Sequence, residues 1–222
     1  MKIYKKLKSP KRNLNKNNSN ADSLIPVIMG GVLGNLILPG IGGVFLGGML
    51  GGISTINMEK KMARVPVFYS FHFGNDVMRV QQIRNIGSIE GNAPTTPNEW
   101  ETLKRTGKKA VENWIDQNMK YKRCIIVLIG SETAQRPWVK HEIIKAWNDG
   151  KAILGIHIHN LKCPRNGVSC KGVNPFELIK FDNGKKLSEF IPCYDPKSNN
   201  AYTEISANIS NWINHAITNK AN

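Results

Sequence analysis

From about residue 63 onward, short unbroken apolar runs alternate with segments whose apolar residues recur every three or four positions. Val65-Pro-Val-Phe-Tyr-Ser-Phe71 is rich in β-branched and aromatic residues and predicts a buried strand. His72 to Asp76 reads as a loop, Val77 to about Asn85 as a helix, and Ile86 to Asn98, with two Gly and two Pro, as a long loop. Asn98 reads as a helix cap before Glu99. Trp100, Leu103, Val111, Trp114, Ile115 and Met119 then follow at helical spacing, as core positions.

Arg123 to Ile129 is a second buried strand, and Lys151 to Ile158 a third. Neither alternates apolar with polar residues, which is the mark of a parallel sheet covered on both faces. Between them Gly130-Ser-Glu-Thr133 forms a turn, and Pro137 suits the first position of a helix running to Trp147. A last helix over about 202–218 carries Ile205, Ile209, Trp212, Ile213 and Ala216 on one face. Strands alternating with helices imply an open parallel α/β sheet. Such sheets bind ligands outside the carboxyl ends of their strands, here Ser70 to His72, Gly130-Ser131 and His157 to His159.

The first sixty residues follow another pattern. Residues 1–22 form a basic tail, with seven Lys or Arg and no acid in the first twenty positions. Residues 23–58 carry no charge and hold ten of the chain's 20 Gly. Gly43, Gly47 and Gly51 repeat every fourth position, which lets lipid-embedded helices approach closely. Pro39-Gly40 divides the segment into halves of about 15 residues, each about 22 Å long as a helix and short of the roughly 30 Å hydrocarbon core. A hairpin dipping into the membrane and a kinked spanning helix both fit, and basic residues on both flanks favour the hairpin. A flexible tail, an oligomerisation segment and a cleaved signal are the alternatives. Residues 63–222 form the folded domain.

In a chain of net charge +15, the basic first twenty residues suit an anionic lipid surface. No aromatics interleave the basic tail, so no nucleic acid is expected. The four Cys lack metal-ligand spacing and are expected as buried, reduced thiols. There is no phosphate-cradling glycine motif. His157 and His159 face one side of a strand, but two histidines alone make a poor metal site, and no metal ligand set is expected. Ser131 follows a strand without a Gly-x-Ser-x-Gly setting, so a cap or turn role fits it better than a nucleophile's. Glu142 shares a helix face with Trp138, four residues earlier. An acid beside an indole is partly desolvated; the competing role is a surface pair with Lys140 or Lys145.

Tyr69-Ser-Phe-His72, Cys124 to Thr133, Trp138-Val-Lys-His-Glu-Ile143, Gly155-Ile-His-Ile158 and Lys171 to Phe176 together resemble bacterial TIR-like domains, in particular those of the Thoeris antiphage defence system. The resemblance covers about residues 65–180 and leaves out the N-terminal extension. It implies a flavodoxin-like TIR fold that cleaves NAD⁺ at the nicotinamide–ribose bond and yields an ADP-ribose-derived, cyclic messenger. The family's catalytic Glu falls on Glu142 and its Trp on Trp138, while Phe71, His72 and Ser131 fall where the substrate pocket is expected. NAD⁺ is then substrate and no cofactor is needed. A messenger-activated effector, self-association and membrane contact through residues 23–58 are the expected partners, at the cytoplasmic face of the membrane. The alternative is a non-catalytic TIR scaffold clustered by its Gly-rich tail.

Overall fold

The computed structural model describes residues 7–10, 65–87, 89–91 and 96–220. All belong to one compact unit. The expectations for residues 23–58, including the glycine row and the membrane hairpin, lie outside the described residues, as does the boundary near residue 63.

Among the described residues five parallel strands form the sheet: β1 (Val65–Phe71), β2 (Ile89–Glu90), β3 (Cys124–Ile129), β4 (Ala152–His157) and β5 (Cys193–Tyr194), in the order β2-β1-β3-β4-β5. This is the flavodoxin-like order. The α-helices of the described residues are α1 (Phe73–Arg84), α2 (Pro97–Thr106), α3 (Lys108–Met119), α4 (Pro137–Asn148) and α5 (Ala201–Thr218).

The unbroken apolar runs are explained by two cores. Cys124, Ile126 and Leu128 of β3, with Leu154 and Ile156 of β4, face α1 and α5. Ile125, Val127 and Ile129, with Ile153, face α3 and α4. Every side chain of the central strands is therefore buried, whichever way it points. The α5 face expected from the sequence packs as read: Ile205, Ile209, Ile213 and Ala216 are buried in the first core and Trp212 packs against it.

Several local expectations are corrected. His72–Asp76 is not a loop; α1 starts at Phe73, with His72 at its N-cap position. The cap of α2 is Thr96 rather than Asn98. Thr96 Oγ1 accepts from Glu99 N at 3.2 Å and Thr96 N donates to Glu99 Oε2 at 2.7 Å, a reciprocal capping box that displaces the start by two residues. The helical spacing through 100–119 belongs to two helices, because Gly107 takes φ 108°, a left-handed conformation that a continuous helix cannot contain. The loop after Ile86 contains β2, and the long segment after β4 contains β5. All four cysteines are free thiols, but Cys170 is exposed and Cys193 half-buried, so the expectation of burial holds only for Cys124 and Cys163.

Part of the basic tail also has a place on the domain. Leu7 packs against the second core. The Trp147 indole Nε1 donates to the Lys8 carbonyl at 2.8 Å, and Lys8 N donates to Asn148 Oδ1 at 2.9 Å. Residues 7–10 thus hold the last turn of α4.

Candidate active site

β1 and β3 end side by side, with Phe71 in register with Leu128. α1 leaves the end of β1 directly, and α4 begins seven residues after Gly130. Between α1, α2, α4 and the end of β1 lies a cavity of about 520 Å³, within the range of small-molecule sites.

Glu142, at the middle of α4, lines this cavity and is 6% exposed. Ser70 Oγ donates to Glu142 Oε2 at 2.5 Å. Burial pushes the Glu142 carboxyl up to about 8, and the Ser70 hydrogen bond offsets only part of that rise. The surface pairing with Lys140 or Lys145 is therefore excluded as the role of Glu142: its carboxyl points inward, and Lys145 pairs instead with Asp116 and Asp149.

Trp138, one turn before Glu142, lines the same cavity, as do Phe71 and His72. Phe71 stands 5.8 Å from Phe73 between ring centroids, and Trp100 stands 5.9 Å from Trp114, so the walls are aromatic. Burial, then the charge of Arg136, lowers the His72 pKa, and its Nδ1 lies 3.8 Å from Glu132 Oε2. His72 is accordingly a neutral imidazole at pH 7. Ser131 is not among the residues lining the cavity. It sits in the turn after β3, under the loop that follows β4: a Cβ on Gly172 of that loop would overlap the Gly130 carbonyl oxygen.

Sequence reasoning missed Ser70 and the cationic part of the wall. Arg84, Lys104, Arg136 and Arg165 all line the cavity. The Arg136 guanidinium pairs with Glu132 through Nη2, while its buried Nε has no hydrogen-bond partner. An unpaired buried donor beside a cavity suits an anionic ligand group. Ser70 was present in the Tyr69-Ser-Phe-His72 motif, but its partner lies 72 residues away. His157 and His159 are elsewhere, at the end of β4, where Asp195 joins them.

A flavodoxin-like parallel sheet, with an acid buried in an aromatic and cationic cavity at its carboxyl edge, defines the TIR-like class of α/β domains. Residues 68–163 match the family model described as "Thoeris protein ThsB, TIR-like domain". A protein of Bacillus cereus (strain MSX-D12), named as a cyclic ADP-D-ribose synthase, ThsB1, is 33% identical over 129 residues, which cover 54% of this chain and 67% of that protein. The chain belongs to the Thoeris ThsB TIR-like family.

Proposed function

We propose that this chain is an NAD⁺ nucleosidase and cyclase that makes a cyclic ADP-ribose signal in antiphage defence. The observation that carries the reading is Glu142, a buried acid fixed by Ser70 inside a cavity of aromatic and cationic walls. The name of the Bacillus cereus relative supports it.

In the proposed reaction the bond between ribose C1′ and the nicotinamide nitrogen breaks, and its electron pair leaves with the ring. Nicotinamide is cationic in NAD⁺ and departs neutral, so no general acid is required. The ribose is left as an oxocarbenium-like cation. Glu142 stabilises that charge from within a low-dielectric site, where a carboxylate acts far more strongly than in water. Although the free carboxyl titrates at about 8, a cationic substrate beside it favours ionisation. A nucleophilic atom of the same molecule then bonds to C1′ and loses its proton, closing the ring. Entry of water instead would give linear ADP-ribose, so walls such as Trp138 and Phe71 serve by excluding it. Arg136, Arg84, Arg165 and Lys104 are assigned to the diphosphate.

A messenger-activated effector is the proposed partner, and TIR self-association the proposed route to activation. Among the described residues no helix is long and apolar enough to cross a membrane. Residues 23–58, uncharged and glycine-rich, are proposed as a membrane-contacting or clustering segment, placing the domain at the inner membrane face.

The test is incubation of the full chain with NAD⁺ at high protein concentration, with products resolved by mass spectrometry. Release of nicotinamide with a product lighter than ADP-ribose by one water is expected. Intact NAD⁺ after infection-mimicking and clustering conditions alike would favour the scaffold alternative.

A further inference from the structure

We propose that His157, His159 and Asp195 form a binding site for a divalent transition-metal ion of the zinc class, which clips β5 to β4. His157 is the last residue of β4, His159 lies two residues on, and Asp195 directly follows β5. One ligand atom from each lies within 4.8 Å of the others. The two imidazole rings stand 5.9 Å apart and nearly perpendicular, at 85°.

The site has donors without partners. His157 is 6% exposed, and its buried Nδ1 makes no hydrogen bond; the same is true of His159 Nδ1. A buried imidazole nitrogen left unpaired is costly unless something binds it. Asp195 is already oriented for the task. Its Oδ2 accepts from Lys171 Nζ at 2.6 Å, while its Oδ1 lies 3.9 Å from His159 Nδ1. Lys171 thus plays the outer-shell part that fixes a ligating carboxylate.

The donor set selects the ion. Two imidazoles and one carboxylate suit zinc and its neighbours rather than magnesium or calcium, which take oxygen. Three protein ligands leave a fourth position for water. Tetrahedral zinc needs ligand atoms about 3.3 Å apart, so separations of up to 4.8 Å must contract by as much as about 1.5 Å. The half-exposed Asp195 side chain can make that movement. The mechanical consequence follows from the sheet. β5 is held by only two register pairs, Gly155 with Cys193 and Ile156 with Tyr194. A metal joining the ends of β4 and β5 would add a crosslink at one of the two short edges of the sheet. None of the three residues lines the cavity that holds Glu142, so the inference stands apart from the proposed reaction.

The experiment uses untagged full-length protein, stripped with a chelator and titrated with Zn²⁺ by calorimetry at pH 7.5. Co²⁺ serves as a parallel spectroscopic probe of tetrahedral coordination. One equivalent should bind more tightly than about 10 μM, and Zn²⁺ should raise the melting temperature. His159→Gln and Asp195→Asn are both less buried than His157 and should fold. Each should weaken binding at least about 100-fold and abolish the thermal shift, since losing a direct ligand costs more than losing an outer-shell one. His215→Gln, outside the cluster, should bind as wild type does. Binding weaker than about 10 μM, or a site that survives in both variants, overturns the proposal.

Discussion

Ser70 Oγ donates to Glu142 Oε2 across 72 positions of sequence, joining β1 to the middle of α4. The bond holds the buried acid of the cavity in one rotamer and ties the acid's charge state to a neutral partner. If Glu142 stabilises the ribose cation, Glu142→Gln should slow NAD⁺ cleavage by about 10²-fold or more, the scale of losing one electrostatic stabiliser. Nicotinamide release under conditions that activate wild type measures it. A wild-type rate in the variant would remove Glu142 from the chemistry.

The pH profile gives an independent check. The free carboxyl titrates at about 8, and the ionised form is the active one. kcat/KM should therefore rise about tenfold per pH unit below that value and level off above it. Ser70→Ala removes the interaction that lowers the pKa, so the inflection should move to higher pH. Ser70 acts through Glu142 as a positioning residue, and a profile unchanged in Ser70→Ala would contradict that role.

Stability should respond with the opposite sense. The folded pKa of Glu142 is raised from 4.5 to about 8, so the native state holds its proton more tightly than the unfolded chain. Its contribution is complete below about pH 4.5 and is lost as pH rises through about 8. Glu142→Gln cannot ionise and keeps that contribution. The variant's melting temperature should exceed wild type's by a margin that grows from pH 5 to pH 8 and then levels off. A constant margin would mean that the acid is solvated in the folded protein.

Arg136 offers a test of substrate binding. Its Nε is buried and without a hydrogen-bond partner, beside the cavity assigned to a diphosphate-bearing ligand. Arg136→Ala should raise KM for NAD⁺ about tenfold with a smaller change in kcat, the pattern of lost uniform binding. An equal loss in kcat and kcat/KM would move Arg136 from binding to transition-state stabilisation.

The start of the chain should matter for folding. Removing residues 1–10 takes away the Leu7 packing and the carbonyl that accepts from the Trp147 indole. The melting temperature should fall by a few degrees, the equivalent of about 1 kcal/mol. Lys8→Ala should fall by less, because the carbonyl of residue 8 remains. No change on removing residues 1–10 would leave the packed tail energetically idle.

What the sequence made legible follows from how each feature is encoded. β1, β3 and β4 announced themselves as apolar runs, because both faces of each are buried. β5 could not be read, since two residues with two register pairs carry no periodic signal. The break between α2 and α3 was hidden by apolar spacing that continues through it, although Gly107 marked the place. Glu142 and Trp138 were found by helical spacing together with a family resemblance. Ser70, the cavity arginines and Asp195 were not, because each gains its meaning from a partner brought near only by folding. Ser131 was placed at the pocket by the family resemblance, whereas its position after a strand indicated a cap or turn; it sits in the turn beneath the loop that carries Gly172 and does not line the cavity.

That loop has an evolutionary consequence. Any side chain at position 172 would collide with backbone at Gly130, and a rotamer change cannot relieve a collision with backbone. The position is therefore closed to neutral drift. Gly172 is adjacent to Lys171, which holds Asp195, and it seats on the turn that leads from β3 into α4. A descendant that lost this glycine would have to rebuild the Gly130–Thr133 turn at the same time. Among related sequences, glycine at this alignment column should be replaced only where the length of that turn has also changed.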